Sequence, residues 1–179
     1  GMFAFALYDA DKQSLFLARD RFGVKPLVYT KLADGAVAFA SEIKGLLAHP
    51  LFRRRPGFRA VEDYLGLGYV PDDSSLLVGV KKLPAGHFLL LQRGKRMPQP
   101  VRWWDVNFSN RAAGKVRDLE VELIERMRAA VRARMIADVP LGAFLSGGVD
   151  SSAVVALMAE ASKAAVKTCT IGFDEAGHD

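Results

Sequence analysis

The chain has 179 residues, half of them hydrophobic and a quarter charged, and 25 Lys plus Arg against 20 Asp plus Glu leave a formal net charge of +5. At that length and balance it is a globular protein of one or two domains, and no apolar run approaches the ~20 residues of a membrane span. One cysteine, Cys169, and three histidines at unrelated spacings exclude a disulfide framework and a Cys/His metal site, which fits a reducing, cytoplasmic compartment.

The first hundred residues read mainly as strands. "MFAFALYD", "SLFLARD", "PLVYT" and "AVAFASE" are short, rich in aromatic and aliphatic residues, and separated by turn signals such as Asp11-Lys12 and Ala33-Asp34-Gly35. "SEIKGLLAH" predicts a short helix capped by Ser41 and stopped before Pro50, with His49 at its end. "RAVEDYLGLG" predicts a second, stopped at Gly68, and "KLPAGHFLLLQRGK" a turn followed by a strand. There is no internal repeat and no low-complexity tract.

The composition shifts after Trp103-Trp104. Residues 105–116, "DVNFSNRAAGKV", are polar and small and read as a linker. Residues 117–138 then predict a long amphipathic helix. Leu123, Met127, Val131 and Met135 form its apolar stripe, and Arg128, Arg132 and Arg134 lie largely on a solvated face. Next come a short apolar run, Leu141 to Leu145, as expected of a buried parallel strand; a helix over 152–161; and a β-branched strand over 166–173 that would bury Cys169. This is one βαβ unit, and one such unit does not close a core. The start on an apolar strand and the stop after a second one suggest a piece of a longer chain.

The turn inside that unit, "SGGVDSS", carries the chemistry. A strand-to-helix turn in a parallel sheet lies at the carboxyl edge, where open α/β folds bind ligands, and the following helix offers unpaired backbone N–H groups there. Gly147 and Gly148 let a phosphate approach the backbone, and Ser146, Ser151 and Ser152 add hydroxyl donors. Asp150 suits a phosphate only with a cation between them, and carboxylate plus pyrophosphate is good Mg²⁺ chemistry. The Walker loop needs a lysine that this stretch lacks, and the dinucleotide fingerprint needs spaced glycines where these are adjacent.

"SGGVDSS" resembles the pyrophosphate loop of the N-type ATP pyrophosphatases. The wider "ADVPLGAFLSGGVDSS" resembles the start of the synthetase domain in glutamine-hydrolysing asparagine synthetases. "GMFAFALYD", "ARDRFGVKPLVY", "FASEIKGLL" and "GYVPDD" resemble the later part of that family's glutaminase domain. "VEDYLGLGYVPDDSSLL" and "KLPAGHFLLL" are most similar to the asparagine-synthetase-like amidotransferases that accompany exosortase systems.

The resemblance implies an α+β / α/β architecture. Residues 1–104 would be the C-terminal part of an Ntn-type glutaminase sandwich, 105–116 a linker, and 117–179 the first βαβ of a parallel-sheet ATP pyrophosphatase domain. It implies a ligase that hydrolyses glutamine and passes ammonia to an adenylated carboxylate, with aspartate as the default acceptor; β-lactam-synthetase-like and RNA-modifying enzymes are the alternatives. ATP and Mg²⁺ are the implied cofactors. Glutamine, the carboxylate and ATP are the implied partners, with no nucleic acid and no membrane, and a homodimer left open.

Residue by residue, Leu145, Ser146, Gly147, Gly148, Asp150, Ser151 and Ser152 match the ATP loop. Asp150 matches the magnesium-linked acid. Ile171 matches the strand position bordering adenine and reads equally well as a core isoleucine. Arg19, Asp20, Gly23 and Pro26 match a recurrent glutaminase-domain segment, expected to form a structural turn near the domain boundary. The family's N-terminal cysteine nucleophile, its Asn-Gly-Glu segment and its Ser-Gly-Glu-Gly loop have no counterpart here. No glutaminase catalytic residue is therefore carried over, and the isolated chain is expected to be inactive.

Overall fold

The computed structural model describes residues 1–71, 74–109 and 111–172. Asp72 and Asp73 of "GYVPDD", Asn110 of the expected linker, Phe173 and His178 lie outside the described residues. The chain divides into two units, Gly1–Asn107 and Phe108–Asp179.

The first unit is built from two antiparallel sheets. β1 (Ala4–Asp9) and β2 (Ser14–Arg19) form a hairpin in the register Ala4↔Arg19 to Asp9↔Ser14. β6 (His87–Gln92) pairs with the other edge of β2, and β7 (Val101–Arg102) with β6, giving the order β1-β2-β6-β7. In the second sheet β3 (Val28–Lys31) lies between β4 (Val37–Ala40) and β5 (Val80–Lys82).

Strand alternation decides what each face covers. Leu17 of β2 and Leu89 of β6, both fully buried, meet Tyr29 of β3 together with Leu27 and Leu83, so the two sheets face one another across this cluster. One residue earlier on β3, Val28 points the other way and packs with Val80 and with Leu46 of α1 (Ile43–Leu47). Burying leucines of this kind stabilises a fold by roughly 1.5–3 kcal/mol each. The far face of the larger sheet carries Phe5, Phe16 and Phe88 in ring contact, at centroid distances of 5.9 and 5.2 Å.

The four early strands, both short helices and the strand after the "PAG" turn match the sequence reading. Two strands went unread: β5 and β7 have three and two residues. α1 begins at the N-cap Glu42, which makes no side-chain cap bond, so Ser41 is not the cap. α2 (Phe58–Leu67) stops at Gly68, whose φ of 77° is the left-handed conformation glycine adopts at a helix end.

The second unit contains α3 (Val116–Arg134), β8 (Gly142–Phe144), α4 (Val149–Ala161) and β9 (Lys167–Cys169). β8 and β9 are parallel, in the register Gly142↔Lys167 to Phe144↔Cys169. α3 is shorter than the 117–138 expected of it. Arg132 and Arg134 sit in its last turn, where cations suit the helix dipole. Met127, Val131 and Met135 line a hollow with Met158 of α4, as a stripe should, whereas Leu123 is 58% exposed and stands outside it. Arg128 joins the two helices by donating to Glu160 at 2.9 Å.

Three burial expectations fail here for one reason. Leu141 to Leu145 forms a parallel strand but not a buried one: Phe144 is 76% exposed. Cys169 ends β9 and is exposed, so it is not a core residue. Ile171 lies beyond the end of β9 at 71% exposure, which removes its reading as a core isoleucine. A two-stranded parallel sheet with only Leu157 and Met158 buried on α4 has too little apolar surface to cover these side chains.

Candidate functional site

The turn from β8 to α4 is held at both ends. Its entry is fixed by Leu145, whose N–H donates to Cys169 O at 2.9 Å and whose carbonyl accepts from Thr170 Oγ1 at 2.7 Å. The parallel pairing thus continues one residue past β8. Within the turn, the Ser151 hydroxyl donates to Gly148 O at 3.1 Å. A serine hydroxyl has one proton, so the 3.2 Å contact between Ser146 Oγ and Ser151 Oγ has Ser146 as donor. Ser146 N–H also points at Ser151 Oγ, at 3.4 Å. Ser151 therefore closes the turn from inside, a role that composition alone did not reveal.

The two glycines differ. Gly147 has φ +77°, and no heavy atom lies within 4 Å of where its Cβ would be. Gly148 is the N-cap of α4 with φ −73°, so its backbone suits any residue and it is not the position that needs positive φ. The first amides of a helix have no acceptor inside it, and no side chain caps this one. α4 thus starts at Val149, three residues before the expected 152, and points free N–H groups and the positive end of its dipole over an open glycine. Asp150, in the first turn, is exposed and has no hydrogen bond or ion pair among the described residues.

This donor set suits an anion, with one hard oxygen ligand to spare. No group of three or more His, Cys, Asp or Glu able to hold a metal ion occurs among the described residues. A Mg²⁺ ion here would take Asp150 plus oxygens of the bound anion.

A second constellation lies in the first unit. Asp20 is 1% exposed and accepts four backbone N–H groups: Phe3 at 3.3 Å, Phe22 and Val24 at 3.1 Å, and Lys25 at 3.0 Å. Burial pushes its carboxyl up, but the N–H donors outweigh that and hold it below the ordinary value. Arg19, 8% exposed, donates to the carbonyls of Lys25 (2.9 Å), Leu83 (2.7 Å) and Gly23 (2.7 Å). A Cβ on Gly23, which has φ +64°, would come within 2.9 Å of the guanidinium. Both charges are satisfied by backbone, and neither faces open space as a catalytic group would. The segment also reaches the end of this unit, since Gly86 N–H donates to Asp20 O at 2.8 Å and Gly86 O accepts from Trp103 and Trp104 at 2.9 and 3.2 Å.

Facing antiparallel sheets followed by a parallel strand–turn–helix–strand unit define a two-part α/β protein with an anion-ready turn in its second part. The sequence profile of the glutamine amidotransferase domain matches residues 1–104, and that of asparagine synthase matches residues 122–179. The chain belongs to the glutamine amidotransferase domain family, in the form found in glutamine-hydrolysing asparagine synthetases.

Among curated relatives, a Methanocaldococcus jannaschii protein bearing an asparagine synthetase name is 38% identical over 178 residues, which is 97% of this chain and 34% of the relative. Glutamine-hydrolysing asparagine synthetase 3 of Bacillus subtilis is 35% identical over 181 residues, 98% of this chain and 29% of its own length. Amidase chry2 of Gibberella zeae is 35% identical over 191 residues, 98% and 28%. The chain thus spans about a third or less of these relatives.

Proposed function

We propose that this chain is part of a longer ATP-dependent amidotransferase. Glutamine is hydrolysed to ammonia, ATP activates a carboxylate as an acyl-adenylate with loss of pyrophosphate, and ammonia displaces AMP to give the amide. Aspartate is the acceptor and asparagine the product, as the names of the relatives suggest. Residues 1–104 belong to the glutaminase part, 105–116 link the parts, and 117–179 begin the ATP-using part. The substrates are small molecules and the site of action is the cytoplasm; no helix among the described residues is long and apolar enough to cross a membrane.

The observation that carries this reading is the turn after β8, with Gly147 left-handed beneath open space and the α4 amides uncapped. Those amides, with the hydroxyl of Ser152 and that of Ser146 once it turns away from Ser151, hold the phosphates. Leu145 fixes the entry, Gly147 and Gly148 keep the approach clear, and Ser151 braces the turn. Asp150 would hold Mg²⁺ against pyrophosphate. The ion would supply charge neutralisation as pyrophosphate departs, the electrostatic kind of stabilisation that such reactions depend on. Ile171, exposed just past β9, offers an apolar surface to adenine.

The test is a titration of the isotope-labelled chain with ATP, followed by backbone amide shifts. Saturable shifts on residues 145–152 are expected. Their absence, in a protein whose spectrum is otherwise well dispersed, would sink the assignment.

A further inference from the structure

We propose that the turn end of the first unit is a second, separate binding site, for a small phosphate-bearing anion. The β1–β2 turn, the β3–β4 turn and the segment after β6 converge there on a cavity of about 420 Å³. Its walls carry Lys31, Arg93, Lys95 and Arg96 and no carboxylate. An adjoining hollow of about 290 Å³ shares Lys31 and Arg96 and adds Lys81, so five cations ring one continuous depression. The side chains of Lys31, Lys81, Lys95 and Arg96 have no ion pair or hydrogen bond among the described residues. Of the acids in the flanking turns, Asp9 binds Lys12, Asp34 accepts the Ala36 N–H, and Asp11 is not part of the cavity wall. Like charges held together without a counter-charge repel, and a multivalent anion relieves that repulsion.

Gln13 at the rim makes the site more than a basic surface. It is the one non-glycine residue with positive φ, at 47°, among the described residues. Its side-chain Nε2 donates to Ala10 O at 2.7 Å, its Oε1 accepts from Arg93 Nη1 at 3.0 Å, and its carbonyl accepts the Arg93 N–H at 3.0 Å. A glycine would take this backbone without strain; glutamine here adds a clamp that aims one guanidinium at the cavity. A fixed Arg fork flanked by lysine point charges suits phosphate. The apolar lining from Leu15, Leu91, Met97 and Pro98 leaves room for an organic group on that phosphate.

The inference concerns the first unit alone and is independent of the proposed ATP site. The isotope-labelled full chain would be titrated with sodium pyrophosphate and with phenyl phosphate, at an ionic strength of about 0.15 M. Saturable amide shifts are expected on residues 34–36 and 93–97; tighter binding of phenyl phosphate identifies an ester, and tighter binding of pyrophosphate an inorganic ligand. A Lys31→Ala/Arg96→Ala variant should lose these shifts, weakening affinity about tenfold or more, and keep any shifts on 145–152. Gln13→Gly should retain or raise thermal stability while weakening the anion severalfold, which a purely structural glutamine would not do. Shifts confined to 145–152, equal affinity in the double variant, or equal binding of citrate would each overturn the site. Displacement of pyrophosphate by a short oligonucleotide at lower concentration would reassign the surface to nucleic acid.

Discussion

Ser146 and Ser151 meet Oγ to Oγ at 3.2 Å across the turn between β8 and α4, and the Ser151 hydroxyl in turn donates a hydrogen bond to the Gly148 carbonyl. The turn therefore carries its brace within the run that would face the phosphates. Ser151→Ala should cost about 1–2 kcal/mol of local stability and weaken ATP severalfold through a looser turn. Ser152→Ala, which removes a hydroxyl with no such bonds among the described residues, should weaken ATP with no change in melting temperature. Thermal unfolding and ATP titration of the two variants separate these outcomes; identical melting temperatures would show that the brace is unimportant.

The neighbouring glycines should respond in opposite ways. Gly147→Ala forces a side chain to φ +77° and should destabilise the protein by roughly 1–3 kcal/mol. At Gly148 a Cβ meets Ser146 Oγ at an ordinary 3.5 Å, so Gly148→Ala should fold like wild type and, under the proposed function, lose ATP affinity because the methyl group would fill the phosphate approach. Circular dichroism melts paired with ATP titration give both readouts. A stable Gly147→Ala protein would contradict the backbone assignment.

Under the proposed function, Asp150→Asn in the longer protein should slow an ATP-dependent half-reaction and leave glutamine hydrolysis unchanged. Losing a charged metal contact in the transition state would cost ~3 kcal/mol, about a hundredfold in rate. Pyrophosphate release is measured over a Mg²⁺ series. An unchanged rate at low Mg²⁺ would overturn the proposed metal role of Asp150.

Asp20 predicts a sensitivity to acid. Its carboxyl is held below the ordinary 3.8 in the folded chain. The stability this contributes is present in full above the ordinary value and is lost as pH falls through the lower, folded one. Asp20→Asn puts an NH₂ group among backbone N–H donors and should cost about 2–4 kcal/mol near neutrality, with a flatter stability profile below pH ~4. Denaturant melts across that range test the sign: a variant that loses stability in acid as steeply as wild type would show that Asp20 is not the titrating group.

Cys169, exposed at the end of β9, should react stoichiometrically with a thiol reagent in the native chain. Cys169→Ala should leave the unfolding free energy within about 0.5 kcal/mol of wild type. A thiol that reacts only on unfolding would place it back in a core.

What was legible in the sequence follows from what apolar patterns report. The early strands announced themselves because each is four to six residues long and bounded by turn residues. β5, Val80-Lys81-Lys82, has no such pattern and exists through its pairing with β3, a non-local fact. Phe144, Cys169 and Ile171 carry the composition of covered residues, but composition signals a side chain suited to burial without supplying the cover. At the candidate site, "SGGVDSS" disclosed residue types and their order. Which glycine is left-handed and which serine turns inward depended on backbone geometry. Gln13 gave no signal, since the partner it clamps, Arg93, lies eighty residues away.

Gly86 ties the exit of the first unit to its buried interior. Its N–H is tied to Asp20 and its carbonyl to the Trp103 and Trp104 amides, and a methyl group in place of its hydrogen would lie 2.6 Å from the Trp104 oxygen. The chain that leaves the unit after Trp104 is therefore anchored not only by the two-residue edge strand β7 but also by hydrogen bonds through Gly86 to the backbone of Asp20, whose carboxylate is buried.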